Sequence, residues 1–221
     1  MAETREERPR RSELREAVSR RYAALADSCC SLSCGRALDL AAPAPGEILV
    51  DLGCGRGQDV IRAAGRVGSS GQAIGVDSTD EMLETARRSV PPFLANARFL
   101  KSDLAALDLP ATLADVVISN CTINHAPDKA AVYREIHRVL RPGGRFVVSD
   151  VVAEKELPAS VRADPAAWAA CYGGAIPERD YLAAIGRAGF RDVEVLDRTG
   201  PYEKGGVLVR SLTVRGVRRW I

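Results

Sequence analysis

The sequence predicts an α/β fold built on a doubly wound, mostly parallel sheet with an antiparallel C-terminal edge. Short apolar runs alternate with helical segments along most of the chain, a pattern typical of parallel strands covered on both faces. A glycine-rich turn over residues 51–57 directly follows the first of these runs. The last two β-rich runs, 193–196 and 207–214, have alternating patterns and are therefore expected to form the antiparallel edge pair.

Each element is predicted from its own pattern. Ser12 is a candidate N-cap for a helix whose Leu14, Val18, Tyr22 and Leu25 share one face. Pro142-Gly143-Gly144 predicts a turn before the fifth strand. The predicted helices cover residues 12–27, 37–41, 60–64, 81–88, 130–140, 165–171 and 178–188. The predicted strands cover residues 48–50, 73–76, 98–100, 116–118 and 146–148, followed by the edge pair.

Composition narrows the possible classes of function. Of 221 residues, 46% are hydrophobic and 27% are charged, which excludes a mainly disordered, collagen-like or membrane-embedded chain. A net charge of +2 gives no sign of the strongly basic field that binds nucleic acid. No secretory or membrane-spanning apolar run is present, so we expect a cytoplasmic protein without a membrane partner. We expect a flexible charged tail over residues 1–11, a helix and cysteine loop over 12–45, and the main domain over 46–221.

The chain combines six cysteines with only two histidines. Because cytoplasmic thiols stay reduced, these cysteines are better candidates for ligands, nucleophiles or packing than for disulfides. Cys54 lies within the glycine turn, where a small packing residue fits. Cys34, Cys121 and Cys171 fall on loops around the predicted cofactor crevice, and three soft thiolates suit a trivalent pyramidal centre. Simple burial, or a structural zinc that uses Cys30 and Cys34, stays open.

Glycines and acids at three successive strand ends predict a nucleotide-type cofactor site. In a doubly wound sheet, ligands bind beyond the carboxyl ends of the strands. The turn Asp51-Leu52-Gly53-Cys54-Gly55-Arg56-Gly57 has glycine at alternate positions, which lets the backbone approach a ligand closely. Asp77 ends the second strand and can accept both hydroxyls of a ribose, and Asp103 ends the third strand, where it can meet an adenine amino group.

These features resemble the class I S-adenosylmethionine-dependent methyltransferases over residues 46–152. Val50–Gly57 is similar to their glycine-rich first motif, Asp77 to their ribose-binding acid, and Arg141–Gly144 to the turn before their fifth strand. The resemblance implies a Rossmann-like methyltransferase domain over 46–221 that uses S-adenosylmethionine. It implies cofactor contacts from Asp51, Gly53, Cys54, Gly55, Gly57, Asp77, Ser78, Met82, Asp103, Leu104 and Asn120.

A second set of motifs resembles the arsenite methyltransferases, and this resemblance extends from Tyr22 to Arg215. The motifs are residues 75–83 (GVDSTDEML), 119–129 (SNCTINHAPDK) and 168–175 (WAACYGGA). The resemblance implies trivalent arsenic as substrate, supplied as arsenite or its thiol conjugates, and thioredoxin or glutathione as reductant. It implies that Cys29 and Cys30 relay a disulfide and that the arsenic ligands are Cys34, Cys121 and Cys171.

The sequence also departs from that family. Ser78 stands where the family has Met, Leu32 replaces a Tyr, and His125 replaces an apolar residue. The stretch between Tyr22 and Cys34 is shorter than in other members of the family. We also expect this chain to lack the extra C-terminal region of the longer members. These departures bear on rate and on the extent of methylation.

Two other functions stay open at this point. The first is methyl transfer to an organic small molecule, with His125 or Asp150 near the acceptor as a general base. The second is a non-catalytic, thiol-rich arsenite binder. A Cys121→Ser variant separates the organic acceptor from arsenic, and cofactor binding separates an enzyme from a binder.

Overall fold

The computed structural model describes residues 10–28 and 35–220. The α-helices in these ranges are α1 (Arg11–Leu25), α2 (Ala37–Ala41), α3 (Gln58–Val67), α4 (Asp80–Ser89), α5 (Lys129–Val139), α6 (Ala159–Ala163), α7 (Pro165–Ala169) and α8 (Glu178–Arg187). The strands are β1 (Ile48–Leu52), β2 (Gln72–Asp77), β3 (Ala97–Lys101), β4 (Ala114–Asn120), β5 (Leu140–Ala153), β6 (Val193–Arg198), β7 (Tyr202–Lys204) and β8 (Val207–Val217). A 3₁₀ helix covers Ile123–His125.

One sheet with the strand order β3-β2-β1-β4-β5-β8-β6 contains these strands, and β7 pairs with β8. Strands β1 to β5 are paired in parallel, whereas β8 is antiparallel to β5, β6 and β7. This arrangement confirms the predicted fold class and its antiparallel C-terminal edge. The strand order reverses between β1 and β4, so a crevice for a ligand is expected at their carboxyl ends.

The central strands are buried on both faces, as parallel strands under two layers of helices must be. Val50 and Val117 share one apolar cluster with Tyr133 of α5. Leu49 belongs to a second cluster with Leu38 of α2. Burial of each such side chain stabilises the fold by about 1.5–3 kcal/mol, which makes this sheet a rigid platform for the loops at its carboxyl end. Among the described residues, no helix is both long and apolar enough to cross a membrane.

Several predicted boundaries are wrong, each for a local reason. Helix α1 begins at Arg11 rather than Ser12, because the Arg10 amide donates to the Glu13 carboxylate at 3.0 Å. Helix α5 ends at Val139, and the predicted Pro142–Gly144 turn lies inside β5. There the pairing with β4 jumps from Leu140 to Arg145 and the intervening residues form a bulge. The short α6, β7 and 3₁₀ segments were not predicted.

Candidate cofactor and thiol site

The glycine turn joins β1 to α3 at the reversal of strand order. Gly53, Gly55 and Gly57 have φ values of +71°, +50° and +76°, a left-handed region that residues with a Cβ adopt only at a cost. A Cβ at Gly53 would lie 2.2 Å from the Thr122 side chain. Glycine is therefore required for the turn to pack against the loop after β4, the loop that carries Cys121.

Asp77, at the end of β2, holds the glycine turn in place. Its carboxylate accepts the backbone N–H of Gly55 and the backbone N–H of Thr79, both at 2.9 Å. Burial raises the pKa of this carboxyl, and the backbone hydrogen bonds oppose the rise. The carboxylate carries acceptor lone pairs that can also receive ribose hydroxyls. The observed geometry therefore fits the predicted cofactor contact.

One cleft collects most of the predicted cofactor residues, namely Asp51, Gly53, Cys54, Gly55, Asp77, Ser78, Leu104 and Asn120. Three predicted contacts lie elsewhere. Gly57 caps α3 against the Phe99 ring, and Met82 is fully buried beneath the turn, with its Sδ 4.0 Å from where a Gly55 Cβ would be. Asp103 forms ion pairs with Arg11 and Arg15 of α1 beside a neighbouring cavity. Its adenine contact stays a prediction.

Acidic side chains cluster at the floor of this cleft. Asp51 is 4% exposed, and burial, together with the nearby charges of Asp59 and Asp77, raises the pKa of its carboxyl. Asp59 in turn accepts a hydrogen bond from the Asn120 side-chain amide at 3.1 Å. Because a positive ligand would relieve the repulsion among these acids, the floor of the cleft suits a cofactor that carries ammonium and sulfonium groups.

The two cysteine loops meet beside this cleft. Cys121 follows β4 and lines the cleft, and the Cys171 thiol lies 3.3 Å from the Cys121 carbonyl oxygen. Their φ values are +55° and +69°, a backbone conformation that costs a non-glycine residue about 1–2 kcal/mol and is found at functional sites. The left-handed backbone at Cys171 also explains why α7 ends at Ala169 instead of extending to Cys171 as predicted.

Cys29, Cys30 and Cys34 lie outside the described residues, so their roles stay predictions. The described chain resumes at Gly35, where a Cβ would lie 2.0 Å from the Asn120 side-chain oxygen. That oxygen also accepts the backbone N–H of Ala37 at 3.3 Å. The segment after Cys34 is thus anchored on the residue before Cys121. Within residues 10–28 and 35–220, no three histidine, cysteine or acidic side chains converge as metal-ion ligands.

His125 and Tyr22 form a polar wall around the Cys171 thiol. The Cys171 sulfur is 3.1 Å from His125 Nε2 and 3.3 Å from the Tyr22 hydroxyl, and the latter two are 3.2 Å apart. His125 Nδ1 lies 2.9 Å from the Trp168 carbonyl, which can only accept. Nδ1 therefore carries the proton and Nε2 is the acceptor. Sequence reasoning placed Tyr22 on the inward face of α1 but did not predict this contact.

The His125 imidazole makes stability depend on pH. Burial lowers its pKa from 6.5 to about 4, so between these values the unfolded chain binds more protons than the folded one. We therefore expect the contribution of His125 to stability to increase on the order of 2 kcal/mol as pH rises from about 4 to 7, after allowance for partial exposure. Chemical unfolding of the parent chain and His125→Leu near pH 4 and near pH 7 measures it. An equal pH response in both chains would contradict this assignment.

The backbone at Cys121 predicts an unusual order of stabilities. Cys121→Ala and Cys121→Gly both remove the thiol, but only the glycine variant relieves the left-handed strain. We expect Cys121→Gly to be more stable than Cys121→Ala by about 1 kcal/mol. Urea unfolding of both variants tests this order. A more stable alanine variant would show that the backbone at residue 121 is not strained.

Asp150 lies behind the cleft and not in it. Its carboxyl accepts the backbone N–H groups of Asn124 and Val151 and the Tyr181 hydroxyl, and it is 2% exposed. Burial raises the pKa of this carboxyl to about 6, and the Lys129 charge opposes the rise. Of the two general bases considered for an organic acceptor, only His125 lines the cleft.

The strand order, the glycine turn and the acid at the end of β2 define a class I S-adenosylmethionine-dependent methyltransferase. A methyltransferase domain family model matches residues 44–200. The chain is 43% identical over 165 residues to an arsenite methyltransferase of Halobacterium salinarum, covering 74% of this chain and 42% of that one. It is 36% identical over 200 residues to an arsenite methyltransferase of Aquipseudomonas alcaligenes, covering 86% and 54%.

A solved structure shows the same relationship. The crystal structure of an arsenic(III) S-adenosylmethionine methyltransferase from Chlamydomonas reinhardtii superposes with a TM-score of 0.74 at 32% identity, covering 94% of this chain and 74% of that chain. The chain belongs to the arsenite methyltransferase family, whose cofactor is S-adenosylmethionine. It spans about half the length of the curated relatives named above.

Proposed function

We propose that this protein transfers a methyl group from S-adenosylmethionine to trivalent arsenic held by Cys34, Cys121 and Cys171. The observation that carries the proposal is the meeting of the Cys121 and Cys171 loops beside the cleft that contains Asp51 and Asp77. Membership of the arsenite methyltransferase family supports it. So do the hydrogen bond from the Ala37 N–H to the Asn120 side chain and the close approach of Gly35 to the same side chain.

Arsenic capture follows from thiol chemistry. Arsenite exchanges its three hydroxyl groups for three thiolates, and each thiol proton leaves in a molecule of water, so charge and atoms balance. Thiolates are soft ligands and select a soft centre such as trivalent arsenic. In the described structure the Cys171 thiol donates its one proton to the Cys121 carbonyl, and its sulfur also lies 3.1 Å from His125 Nε2. These contacts orient the sulfur before the substrate arrives.

When bound, S-adenosylmethionine supplies an electrophilic sulfonium methyl group. Asp77 and the glycine turn would hold the cofactor in the cleft that Cys121 also lines, and three thiolate ligands would leave the arsenic lone pair available for attack on the methyl group. Such alignment of two reactants supplies up to about 7–11 kcal/mol of the barrier reduction. No general base is needed, since arsenic attacks with its own lone pair.

The methylated arsenic is formally oxidised by two electrons. Two of the cysteine thiolates return these electrons when they leave arsenic and close a disulfide. Two water molecules then displace the third cysteine, which takes up a proton and becomes a thiol again. Trivalent methylarsenic is released with two hydroxyl ligands, and one further proton goes to solvent. A thiol reductant such as thioredoxin or glutathione then reopens the disulfide, and Cys29 and Cys30 relay the exchange. This cycle requires reduced thiols, as found in the cytoplasm.

Arsenic speciation tests the proposal. The reduced protein is incubated with arsenite, S-adenosylmethionine and a thiol, and the arsenic species are separated and quantified. We expect methylated arsenic, and none when the cofactor is omitted. Folded, reduced protein that binds the cofactor yet yields no methylated arsenic would overturn the proposed function.

The position of His125 in the cleft favours one alternative, methyl transfer to an organic hydroxyl or amine. In that case Cys121→Ser leaves turnover of the organic acceptor intact, whereas it removes turnover of arsenite. The other alternative, a pure arsenite binder, predicts no heat of S-adenosylmethionine binding by calorimetry. These two measurements assign the chain to one of the three functions.

A further inference from the structure

A fully buried amide links the two cysteine loops. Asn124, in the 3₁₀ helix after Cys121, is 0% exposed. Its side-chain NH₂ donates to the Val151 carbonyl at 2.5 Å and to the Cys171 carbonyl at 3.3 Å. One side chain therefore joins the loop after β4, the end of β5 and the loop after α7.

The backbone at Asn124 packs directly against the backbone at Gly174. A Cβ at Gly174 would lie 1.9 Å from the Asn124 carbonyl oxygen, so the two loops touch through main-chain atoms. Lys129 Nζ donates to the Gly174 carbonyl at 2.6 Å, and the Asn124 backbone N–H donates to Asp150 at 3.1 Å. Asn124 is thus fixed from both its backbone and its side chain.

Stabilisation of the fold does not by itself explain why an amide side chain is buried at position 124. Its Oδ1 atom is buried and has no hydrogen-bond partner among the described residues, and an unsatisfied buried acceptor is unfavourable. Cys171, to which it donates, has the left-handed φ of +69°, and such a conformation persists only where its surroundings hold it. The Asn124 amide donates to the Cys171 carbonyl and to the Val151 carbonyl, and thereby ties this strained backbone to the end of β5.

We propose that Asn124 is a positioning residue that fixes the Cys171 loop against the Cys121 loop, so that both thiols reach one trivalent arsenic centre. The inference deepens the proposed function and rests on the same cysteine pair. It assigns to Asn124 no contact with substrate or cofactor. Its effect is expected on capture of arsenic by the thiol pair and not on binding of S-adenosylmethionine.

Phenylarsine oxide tests the inference without methyl transfer. It condenses with two thiols to a dithioarsenite and one water. In a full chain that carries Cys29→Ser, Cys30→Ser, Cys34→Ser and Cys54→Ala, the two cysteines that remain are Cys121 and Cys171, so the reagent reports on that pair. We expect Asn124→Ala in this background to weaken its binding about tenfold, the effect of one lost hydrogen bond to a buried group. Affinity for S-adenosylmethionine should not change.

A matched control separates positioning from folding. Asn96 is a partly buried amide that also donates to two backbone carbonyls, those of Ala64 and Gly68 at 3.0 and 2.7 Å, far from the cysteine loops. Asn96→Ala is expected to lower the free energy of unfolding yet leave phenylarsine oxide binding unchanged. If Asn124→Ala does not fold, Asn124→Ser provides the same comparison with a smaller truncation.

The phenylarsine oxide measurements on the Asn124 variants can fail independently of the arsenite methylation assay. Unchanged phenylarsine oxide affinity in a folded Asn124 variant overturns the inference, whether or not arsenite is methylated. Equal losses of affinity in the Asn124 and Asn96 variants overturn it too, because general destabilisation would then explain both. Weakened capture in the Asn124 variant alone supports it, even if the parent chain proves to methylate no arsenic.

Discussion

A Cys171→Ser variant is expected to lose arsenite methylation by about 10²-fold or more while it binds S-adenosylmethionine with unchanged affinity. Serine offers a hard oxygen in place of a soft thiolate, so arsenic keeps two sulfur ligands and is no longer held in line with the methyl group. Misplacement of a reactant by about 1 Å alone can reduce a rate 10²-fold. Arsenic speciation under single-turnover conditions measures the loss.

Stability serves as the internal control for this variant. Serine and cysteine both carry a Cβ, so the strain at φ +69° is the same in both, and urea unfolding should change little. Retained methylation by Cys171→Ser would remove Cys171 from the set of arsenic ligands. Loss of cofactor binding in the same variant would instead indicate a collapsed cleft.

An Asp77→Ala variant is expected to bind S-adenosylmethionine at least about 10²-fold more weakly than the parent chain. The carboxylate accepts two backbone hydrogen bonds that hold the glycine turn, and hydrogen bonds to charged groups contribute about 1.5–3 kcal/mol each. Stability should fall less than affinity, because removal of a carboxyl whose pKa is raised by burial also relieves a desolvation penalty. Calorimetric titration with the cofactor measures the change.

Asp80→Ala is the matched control for Asp77→Ala. Asp80 lies three residues further along the chain and forms an exposed ion pair with Lys101, an interaction worth about 0–1 kcal/mol. Its affinity for the cofactor should match that of the parent chain. Equal affinities of the Asp77 and Asp80 variants for S-adenosylmethionine would contradict the assignment of Asp77 to the ribose. Binding of phenylarsine oxide should persist in both variants.

Much of the fold is predictable from the sequence because the hydrophobic periodicity of the strands and helices agrees with the positions of the Gly and Pro residues that separate them. The apolar run that contains Leu49 and Val50 is followed by a glycine-rich stretch, so the sequence predicts both the buried strand and the turn after it. Asp77 is predictable for the same reason, since parallel strands end at one edge of the sheet. The bulge inside β5 is not predictable, because Pro142-Gly143-Gly144 equally suits a turn between elements.

The candidate site is only partly predictable. Cys121 and Cys171 were expected to converge, and the described loops do meet. Their left-handed backbones were not expected, because residue preference there favours glycine and tertiary contacts decide the outcome. The contact of Tyr22 with Cys171 and the link through Asn124 depend on which loops pack together. Neither the helical periodicity around Tyr22 nor the presence of a polar residue at position 124 specifies which loops pack against each other.

Arsenic-edge X-ray absorption of the reduced full chain, loaded with one equivalent of arsenite, tests most directly the claim that three cysteine thiolates hold the substrate. The account predicts three sulfur neighbours and no oxygen around arsenic, and two sulfur neighbours in each of the single variants Cys34→Ser, Cys121→Ser and Cys171→Ser. Two sulfurs and one oxygen in the parent chain, or three sulfurs that persist in any of these variants, would contradict it.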